Sequence, residues 1–173
     1  MEPWFLGDGR TDDEMQFLSA LRDRAASWDA LDVRRDDTQA WDDDEQVFYV
    51  HVDLAGPENS GIYGTMRVDY DGQRVMGHWG SACFCDEIDL TKPDTFASPI
   101  VSSPEEAAAY AADWLELQLR RPVELREWSV DGDVLYRLWL LTDNDHGLSM
   151  QFGPRSRVTG SPTRVVCLRP DRR

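Results

Sequence analysis

The clearest hydrophobic pattern in the chain lies between residues 103 and 121 and predicts an α-helix. Ser103-Pro104-Glu105-Glu106 has the form of a capping box, in which a serine hydroxyl and a glutamate carboxylate accept hydrogen bonds from free amides at the helix start. Arg120 and Arg121 suit the negative end of the helix dipole, and Pro122 ends the helix. Apolar residues recur between these limits at helical spacing: Ala107, Tyr110, Ala111, Trp114, Leu115 and Leu119.

A second capping box lies near the N-terminus. Thr11-Asp12-Asp13-Glu14 predicts the start of a helix that continues to about Ala30. Its apolar stripe is expected to consist of Met15, Leu18, Leu21, Ala25 and Trp28.

Two alternating segments on either side of Asp131-Gly132-Asp133 predict a β-hairpin of strands 123–130 and 134–141. The second strand is apolar on both faces apart from Arg137, so we expect it to be central in its sheet. Placing Val130 opposite Val134 gives two favourable cross-strand pairs: Trp128 with Tyr136, and Glu127 with Arg137.

Residues 46–54 also alternate, and this pattern predicts a strand with one apolar and one polar face. Tyr49, His51 and Asp53 lie on the polar face. A hairpin of strands 62–70 and 73–79 follows around Asp71-Gly72. Tyr70 opposite Gln73 gives these further pairs: Val68 with Val75, Met66 with Gly77, Gly64 with Trp79, Asp69 with Arg74, and Thr65 with His78.

These elements predict a single α+β domain over residues 1–173. Its two helices pack on an antiparallel sheet of about six to seven strands, in the order helix, strands, helix, strands. Residues 31–45 are expected to be an acidic loop, residues 80–102 an irregular connection, and residues 169–173 a mobile basic tail. Short strands at 148–152 and 163–168 complete the sheet.

The formal net charge of −15 is unevenly distributed along the chain. Residues 1–60 hold 16 acidic and 5 basic side chains, a net charge of −11, whereas residues 154–173 hold 1 acidic and 6 basic side chains. This distribution disfavours nucleic acid and anionic membranes as partners and fits a basic protein. With no apolar run of about 20 residues, no secretory signal and three irregularly spaced cysteines, the expected location is the cytoplasm.

The strongest candidate for partner binding is the acidic segment around Trp41. Its proposed contact residues are Asp36, Asp37, Trp41, Asp42, Asp43, Asp44 and Glu45. An aromatic anchor surrounded by charged residues is typical of protein interfaces. Two alternatives stay open. The acidic segment can be a solvated loop without a partner. Trp41 can also be a buried residue that holds the loop down, and this is favoured over an exposed Trp41.

Of the 18 basic residues 17 are arginine, which indicates a high-GC genome. In this acidic, arginine-rich character the chain resembles small acidic bacterial proteins that neutralise a toxin, the immunity-protein type, and also accessory proteins of unassigned role. The net charge of −11 over residues 1–60, which also hold Trp4, Trp28 and Trp41, favours a non-enzymatic chain that binds another protein, such as a basic toxin or effector. The sequence leaves the oligomeric state open.

Three other groups of residues are candidate chemical sites. His51 and His78, on the polar face of the first strands, suit general acid-base chemistry on a small molecule, but no nucleophile motif accompanies them. Cys83-x-Cys85 lacks the second ligand pair of a zinc site. Residues 143–147 begin like a calcium loop but lack its later ligands, so a turn is expected. The sequence therefore favours a non-enzymatic protein without metal or cofactor.

Overall fold

The computed structural model describes residues 3–28, 33–42, 47–56, 61–80, 88–92, 94–152 and 158–170. Within these ranges the chain forms two α-helices, α1 (Asp12–Ala25) and α2 (Pro104–Arg120). One turn of 3-10 helix, Arg35–Asp37, precedes the first strand. The strands are β1 (Thr38–Asp42), β2 (Phe48–Ala55), β3 (Ile62–Tyr70), β4 (Val75–Gly80), β5 (Phe96–Ala97), β6 (Val123–Val130), β7 (Asp133–Leu141), β8 (His146–Phe152) and β9 (Arg164–Arg169).

The strands form two separate antiparallel sheets. The first has the order β1-β2-β3-β4-β5 and the second has the order β8-β7-β6-β9. The α+β class and the central position of β7 are confirmed, whereas the prediction of one sheet with six to seven strands is wrong. Strands that follow one another in sequence tend to pair, and α2 separates them into two groups. The order also differs in detail, because β1 and β5 lie in segments predicted to be irregular and are too short to show alternation.

Contacts between residues divide the chain into two compact units, Met1–Leu119 and Arg120–Arg173. The first unit contains α1, the five-stranded sheet and α2 up to Leu119, and the second contains the four-stranded sheet. That residues 1–173 form a single domain stays a prediction.

Helix α1 begins with the predicted capping box. The Glu14 amide donates a hydrogen bond to Thr11 Oγ1 at 3.2 Å, and the Thr11 amide donates to Glu14 Oε2 at 3.1 Å. The helix ends at Ala25, earlier than predicted. Met15 is 46% exposed, since it lies roughly 100° around the helix from the centre of the buried face. That face consists of Phe17, Leu18, Leu21 and Ala25.

The aromatic ring of Phe17 attaches α1 to the first sheet. It stacks on Tyr70 of β3, with ring centroids 4.6 Å apart, and meets Phe48 of β2 edge-on at 6.0 Å. Phe48 and Tyr70 are cross-strand partners on one face of the sheet. Helix α1 therefore covers that face.

Helix α2 packs on the same face. Its Trp114 ring lies directly against Gly77 of β4. Val75 of β4 pairs with Tyr70, and Gly77 lies two residues further along the strand, so both face the same side of the sheet. The Glu106 amide donates to Ser103 Oγ at 3.2 Å, as predicted. The Glu106 carboxylate accepts the amide and hydroxyl of Ser102, at 2.7 Å each, instead of the Ser103 amide.

The register of the β3–β4 hairpin differs from the predicted one by two residues. Tyr70 pairs with Val75 and not with Gln73. The Asp71 carboxylate accepts the amides of Gln73 and Arg74 at 2.8 and 2.6 Å and so stabilises a four-residue turn. The predicted two-residue turn was wrong because this side-chain bonding lengthens the connection.

In the β6–β7 hairpin two predicted cross-strand pairs are confirmed: Trp128 with Tyr136, and Glu127 with Arg137. Val130 pairs with Asp133 and not with Val134. Asp131 and Gly132, at φ 52° and 91°, form a two-residue turn of the type that matches strand twist. A register shift after Trp128 reconciles this shorter turn with the predicted pairs.

A buried carboxylate joins three strands of the second sheet. Glu127 of β6 is 3% exposed and accepts hydrogen bonds from Arg137 Nε of β7 at 2.6 Å and from Arg164 Nη1 of β9 at 2.9 Å. One acidic residue thus holds an inner strand and an edge strand beside β6.

The segment 143–147 forms the turn between β7 and β8. Asn144 Oδ1 accepts the His146 amide at 3.1 Å, and Asp145 has φ 55°. Asp143 is paired with Arg121 at 2.8 Å. The segment 143–147 thus forms the turn that the sequence favoured. Of the predicted basic tail, Arg169 is the last residue of β9, and residues 171–173 lie outside the described residues.

Candidate functional site

Trp41 lies on β1, the edge strand of the first sheet, and is exposed. Its side chain is 51% accessible, and its Nε1–H donates to Gln39 Oε1 at 2.7 Å. The preferred expectation of a buried Trp41 was wrong, because Trp41 is part of a sheet edge and not of a loop folded over the core. Among the exposed large apolar side chains of the described residues, Trp41 is the only aromatic one. The hydrogen bond to Gln39 fixes the orientation of an indole that solvent can reach.

The two acidic residues before β1 are paired with an arginine of the same chain. Arg34 donates two hydrogen bonds of 2.8 Å to Asp37, and its Nε lies 3.5 Å from Asp36. The Arg34 hydrogen bond lowers the pKa of Asp37 and outweighs the opposite effect of burial. This arginine therefore offsets part of the negative charge at positions 36 and 37.

The rest of the predicted acidic cluster falls at the end of β1. Asp42 is the last residue of the strand. Its side chain, together with Asp43, Asp44 and Glu45, lies outside the described residues. The structure thus brings Asp36, Asp37 and Trp41 into one segment at the sheet edge.

The N-terminal segment contacts the outer side of β1, a feature that the sequence did not indicate. The Leu6 amide donates to the Thr38 carbonyl at 2.9 Å, and the Ala40 amide donates to the Leu6 carbonyl at 2.7 Å. This parallel bridge ends one residue before Trp41. Leu6 is 36% exposed and pairs with Gln39, which places it on the same side of the sheet as Trp41.

Arg22 of α1 holds the N-terminal segment in place. Its guanidinium donates to the carbonyl oxygens of Trp4, Phe5 and Gly7 at 3.1, 2.6 and 2.5 Å. A Cβ at Gly7 would lie 2.4 Å from the Ala40 carbonyl oxygen, so only glycine allows this approach to β1. Strand β1, the N-terminal segment and helix α1 therefore together form the sheet edge next to Trp41.

The polar face of the first sheet carries a row of three basic side chains on adjacent strands. His51 of β2 pairs with Arg67 of β3, and Arg67 pairs with His78 of β4. All three are buried, at 4%, 8% and 9% exposure. The sequence register had placed Thr65 opposite His78, so the central arginine was missed. The alternation of Thr65, Arg67 and Asp69 in β3 is the signal that could have identified it.

Arg67 is fixed by two contacts on this face. Its Nε donates to Asp69 Oδ1 at 2.5 Å, and its Nη2 donates to Asp69 Oδ2 at 3.2 Å. The guanidinium carbon lies 4.0 Å from the centre of the Tyr49 ring, a cation–π geometry. The arginine is therefore paired with the Asp69 carboxylate and covers the Tyr49 ring.

The two histidines differ in their neighbours. His51 Nε2 lies 3.8 Å from Asp53 Oδ2, and Asp53 also accepts the Thr65 hydroxyl at 2.6 Å. His78 Nε2 is buried without a hydrogen-bond partner among the described residues. Burial is the largest influence on both rings and lowers the pKa of His51 and of His78, against the opposite effects of Asp53 and Asp69 respectively. Burial therefore favours the neutral form of both imidazoles.

Trp41 and the buried polar row lie on the same face of one sheet. Trp41 pairs with Tyr49, and Gln39 pairs with His51. Residues two apart in a strand share a face, so Trp41 sits beside the tyrosine that Arg67 covers. Two candidate sites that the sequence placed separately are therefore neighbours.

Within the part of the chain that the structure describes, no group of three His, Cys, Asp or Glu side chains is arranged to hold a metal ion. Cys83 and Cys85 lie outside those residues, and Cys167 in β9 is a free, exposed thiol. Neither helix in the described ranges is long and apolar enough to cross a membrane. Comparisons with protein-family models, curated protein sequences and solved structures find no match to this chain.

Proposed function

We propose that this chain binds a basic protein through the edge of its first sheet, at a surface formed by Trp41, Asp36, Asp37 and the acidic residues 42–45. The observation that carries the proposal is the 51% exposure of Trp41, whose ring is oriented by its hydrogen bond to Gln39. Large aromatic side chains are the commonest anchors of protein interfaces. A fixed orientation reduces the entropy lost when a partner buries the ring.

The charge around Trp41 supports a basic partner. Residues 1–60 have a net charge of −11, which attracts a positively charged surface and increases the rate of association. Because Arg34 pairs with Asp36 and Asp37, these two aspartates contribute less to that attraction than unpaired carboxylates would. We expect residues 42–45 to supply the larger share.

The acidic, arginine-rich character of the chain favours a toxin or effector as the partner, which binding would neutralise, as in immunity proteins. The same composition favours the cytoplasm as the location and disfavours nucleic acid as a ligand. The chain acts in this proposal by binding and not by catalysis.

The proposal is tested by affinity capture with the full chain from bacterial extract, followed by binding measurements with the purified partner. Trp41→Ala should weaken binding by roughly 30-fold or more, the loss expected for an interface anchor. Ile100→Ala is the matched control, since Ile100 is also an exposed apolar residue, at 64%, but lies outside the acidic segment. Amide substitutions at residues 42–45 should slow association and reduce its dependence on salt. A partner that binds the wild type and Trp41→Ala equally well would contradict the proposal.

The polar face of the first sheet supports a second candidate function, binding of a small molecule or catalysis on it. Buried nitrogen atoms in proteins are almost always hydrogen-bonded, and His78 Nε2 has no partner among the described residues. A ligand that donates a hydrogen bond would satisfy it. An NMR screen of small hydroxyl and amine compounds tests this candidate: compounds should bind the wild type and lose binding to His78→Leu. Compounds that bind both proteins alike would argue against it.

A further inference from the structure

The row His51–Arg67–His78 places two titratable side chains directly beside a permanent cation. Cross-strand partners on one face lie about 5 Å apart at Cβ, so each imidazole is a nearest neighbour of the Arg67 side chain. All three are at least nine-tenths buried, where solvent screens charge poorly. Protonation of both histidines would therefore place three cations side by side in this row, where they would repel one another.

We infer that this row is an acid-sensitive latch: protonation of His51 and His78 opens strands β2–β4 of the first unit. The inference does not depend on the proposed partner, because it concerns the free chain. It assigns the two histidines a role in which they need no substrate.

The charged groups that act on the two rings show the balance of forces. Asp53 favours a charged His51 and Arg67 opposes it. Asp69 favours a charged His78, whereas Arg67 and Lys92 oppose it. Both carboxylates are already engaged, Asp69 with Arg67 and Asp53 with the Thr65 hydroxyl. Burial adds to the opposing side at both rings and is the largest effect.

The direction of the pH dependence follows from proton linkage. The folded-state pKa of each histidine lies below the ordinary value of about 6.5, so the open state binds more protons than the closed state once the pH falls below that value. The closed state is therefore most stable above about pH 6.5 and loses stability as the pH falls towards the folded pKa values. For each histidine that charges on opening, the opening constant rises by up to about tenfold per pH unit, and for both by up to about a hundredfold.

Opening would also change the packing of the residues beside Trp41. Arg67 covers the ring of Tyr49, and Tyr49 is the cross-strand partner of Trp41. Movement of Arg67 away from two new cations would disturb this contact. Acid would then change the edge strand as well as the three strands that carry the row.

Amide hydrogen exchange of the full chain between pH 7.5 and 5.5, corrected for intrinsic exchange rates, tests the latch. Opening of β2–β4 should increase steeply below about pH 6.5 in the wild type, and β6–β7 should show a much smaller change. His51→Gln/His78→Gln should be flat over this range, and each single variant should retain about half of the slope. His146→Gln is the matched control, since His146 is the remaining histidine of the chain and lies in the second sheet, and it should retain the full slope.

Imidazole NMR titration of the unsubstituted chain measures the same property even if the double variant fails to fold. His51 and His78 should both titrate below about 6.5, the ordinary pKa of a histidine. The inference is wrong if the two rings titrate normally while β2–β4 stay closed, if the wild-type slope is flat, or if the double variant retains the slope.

Discussion

Gly77 of β4 lies beneath the indole ring of Trp114, and this contact predicts the effect of a single methyl group. A Cβ at position 77 would lie 2.8, 2.9 and 3.0 Å from Trp114 Cε3, Cδ2 and Cζ3. Carbon atoms pack favourably at about 3.5–4.0 Å, so the ring would have to move by roughly 0.5–1 Å. Trp114 is 7% exposed on a helix packed against the sheet, which leaves little room for that movement.

The expected result of Gly77→Ala is a net loss of stability. Overpacking costs about 1–3 kcal/mol, and contacts of 2.8–3.0 Å with a buried ring belong in the upper part of that range, about 2–3 kcal/mol. Replacing a strand glycine by alanine returns about 0.5–1 kcal/mol. We therefore expect a net loss of about 1–2.5 kcal/mol in the free energy of unfolding, measured by urea denaturation. This corresponds to a decrease in Tm of roughly 2–10 °C.

Gly147→Ala provides the matched control in another strand. A Cβ at Gly147 would lie 3.4 Å from Leu138 Cδ1, an ordinary contact, so this variant should be neutral or slightly stabilised. In a Trp114→Leu background, the cost of Gly77→Ala should shrink because the smaller side chain leaves space for the methyl group. If Gly77→Ala proves as stable as the wild type, Trp114 does not pack on Gly77 and the position of α2 on the sheet is wrong.

In each unit, one substitution of a buried side chain is compared with one at a more exposed position. Glu127→Gln should lower the free energy of unfolding by about 1–3 kcal/mol, because it weakens two charge-assisted hydrogen bonds to a buried carboxylate. Arg164→Gln should lower it by less than about 1 kcal/mol, since the Arg164 side chain is 49% exposed. Equal losses in urea denaturation would show that the carboxylate is not the centre of this cluster. Phe17→Ala should cost about 3–5 kcal/mol because it removes a fully buried ring stacked on Tyr70, and Met15→Ala, at a 46% exposed position, should stay within about 0.5 kcal/mol of the wild type. A larger loss from Met15→Ala than from Phe17→Ala would mean that α1 presents a different face to the sheet.

Where a helix start depends on a capping side chain, the sequence predicted it well. Thr11 and Glu14 cap α1 as expected, and Ser103 caps α2. The β3–β4 register was wrong although its turn was correctly located, because Asp71 bonds two amides and lengthens the turn. A shift of two residues leaves every side chain on its original face, so hydrophobic alternation cannot detect it.

The candidate site was also predicted only in part. His51 and His78 were correctly placed on one polar face, since alternation fixes the face of a strand. Arg67 was missed as their common neighbour because the register decides which residue lies between them. The exposure of Trp41 was also not predictable, because it depends on β1 being an edge strand.

By itself the sequence determined where the helices begin, which faces of the strands are apolar, and the excess of negative charge in the first 60 residues. These properties depend on residues a few positions apart, through capping, periodicity and composition. Only the tertiary structure decided that the strands form two sheets, that both helices cover one face of the first, and that Trp41 shares the opposite face with a buried row of His51, Arg67 and His78. Those features depend on strand pairing over long sequence separations, which is set by the packing of the whole chain and leaves no local pattern.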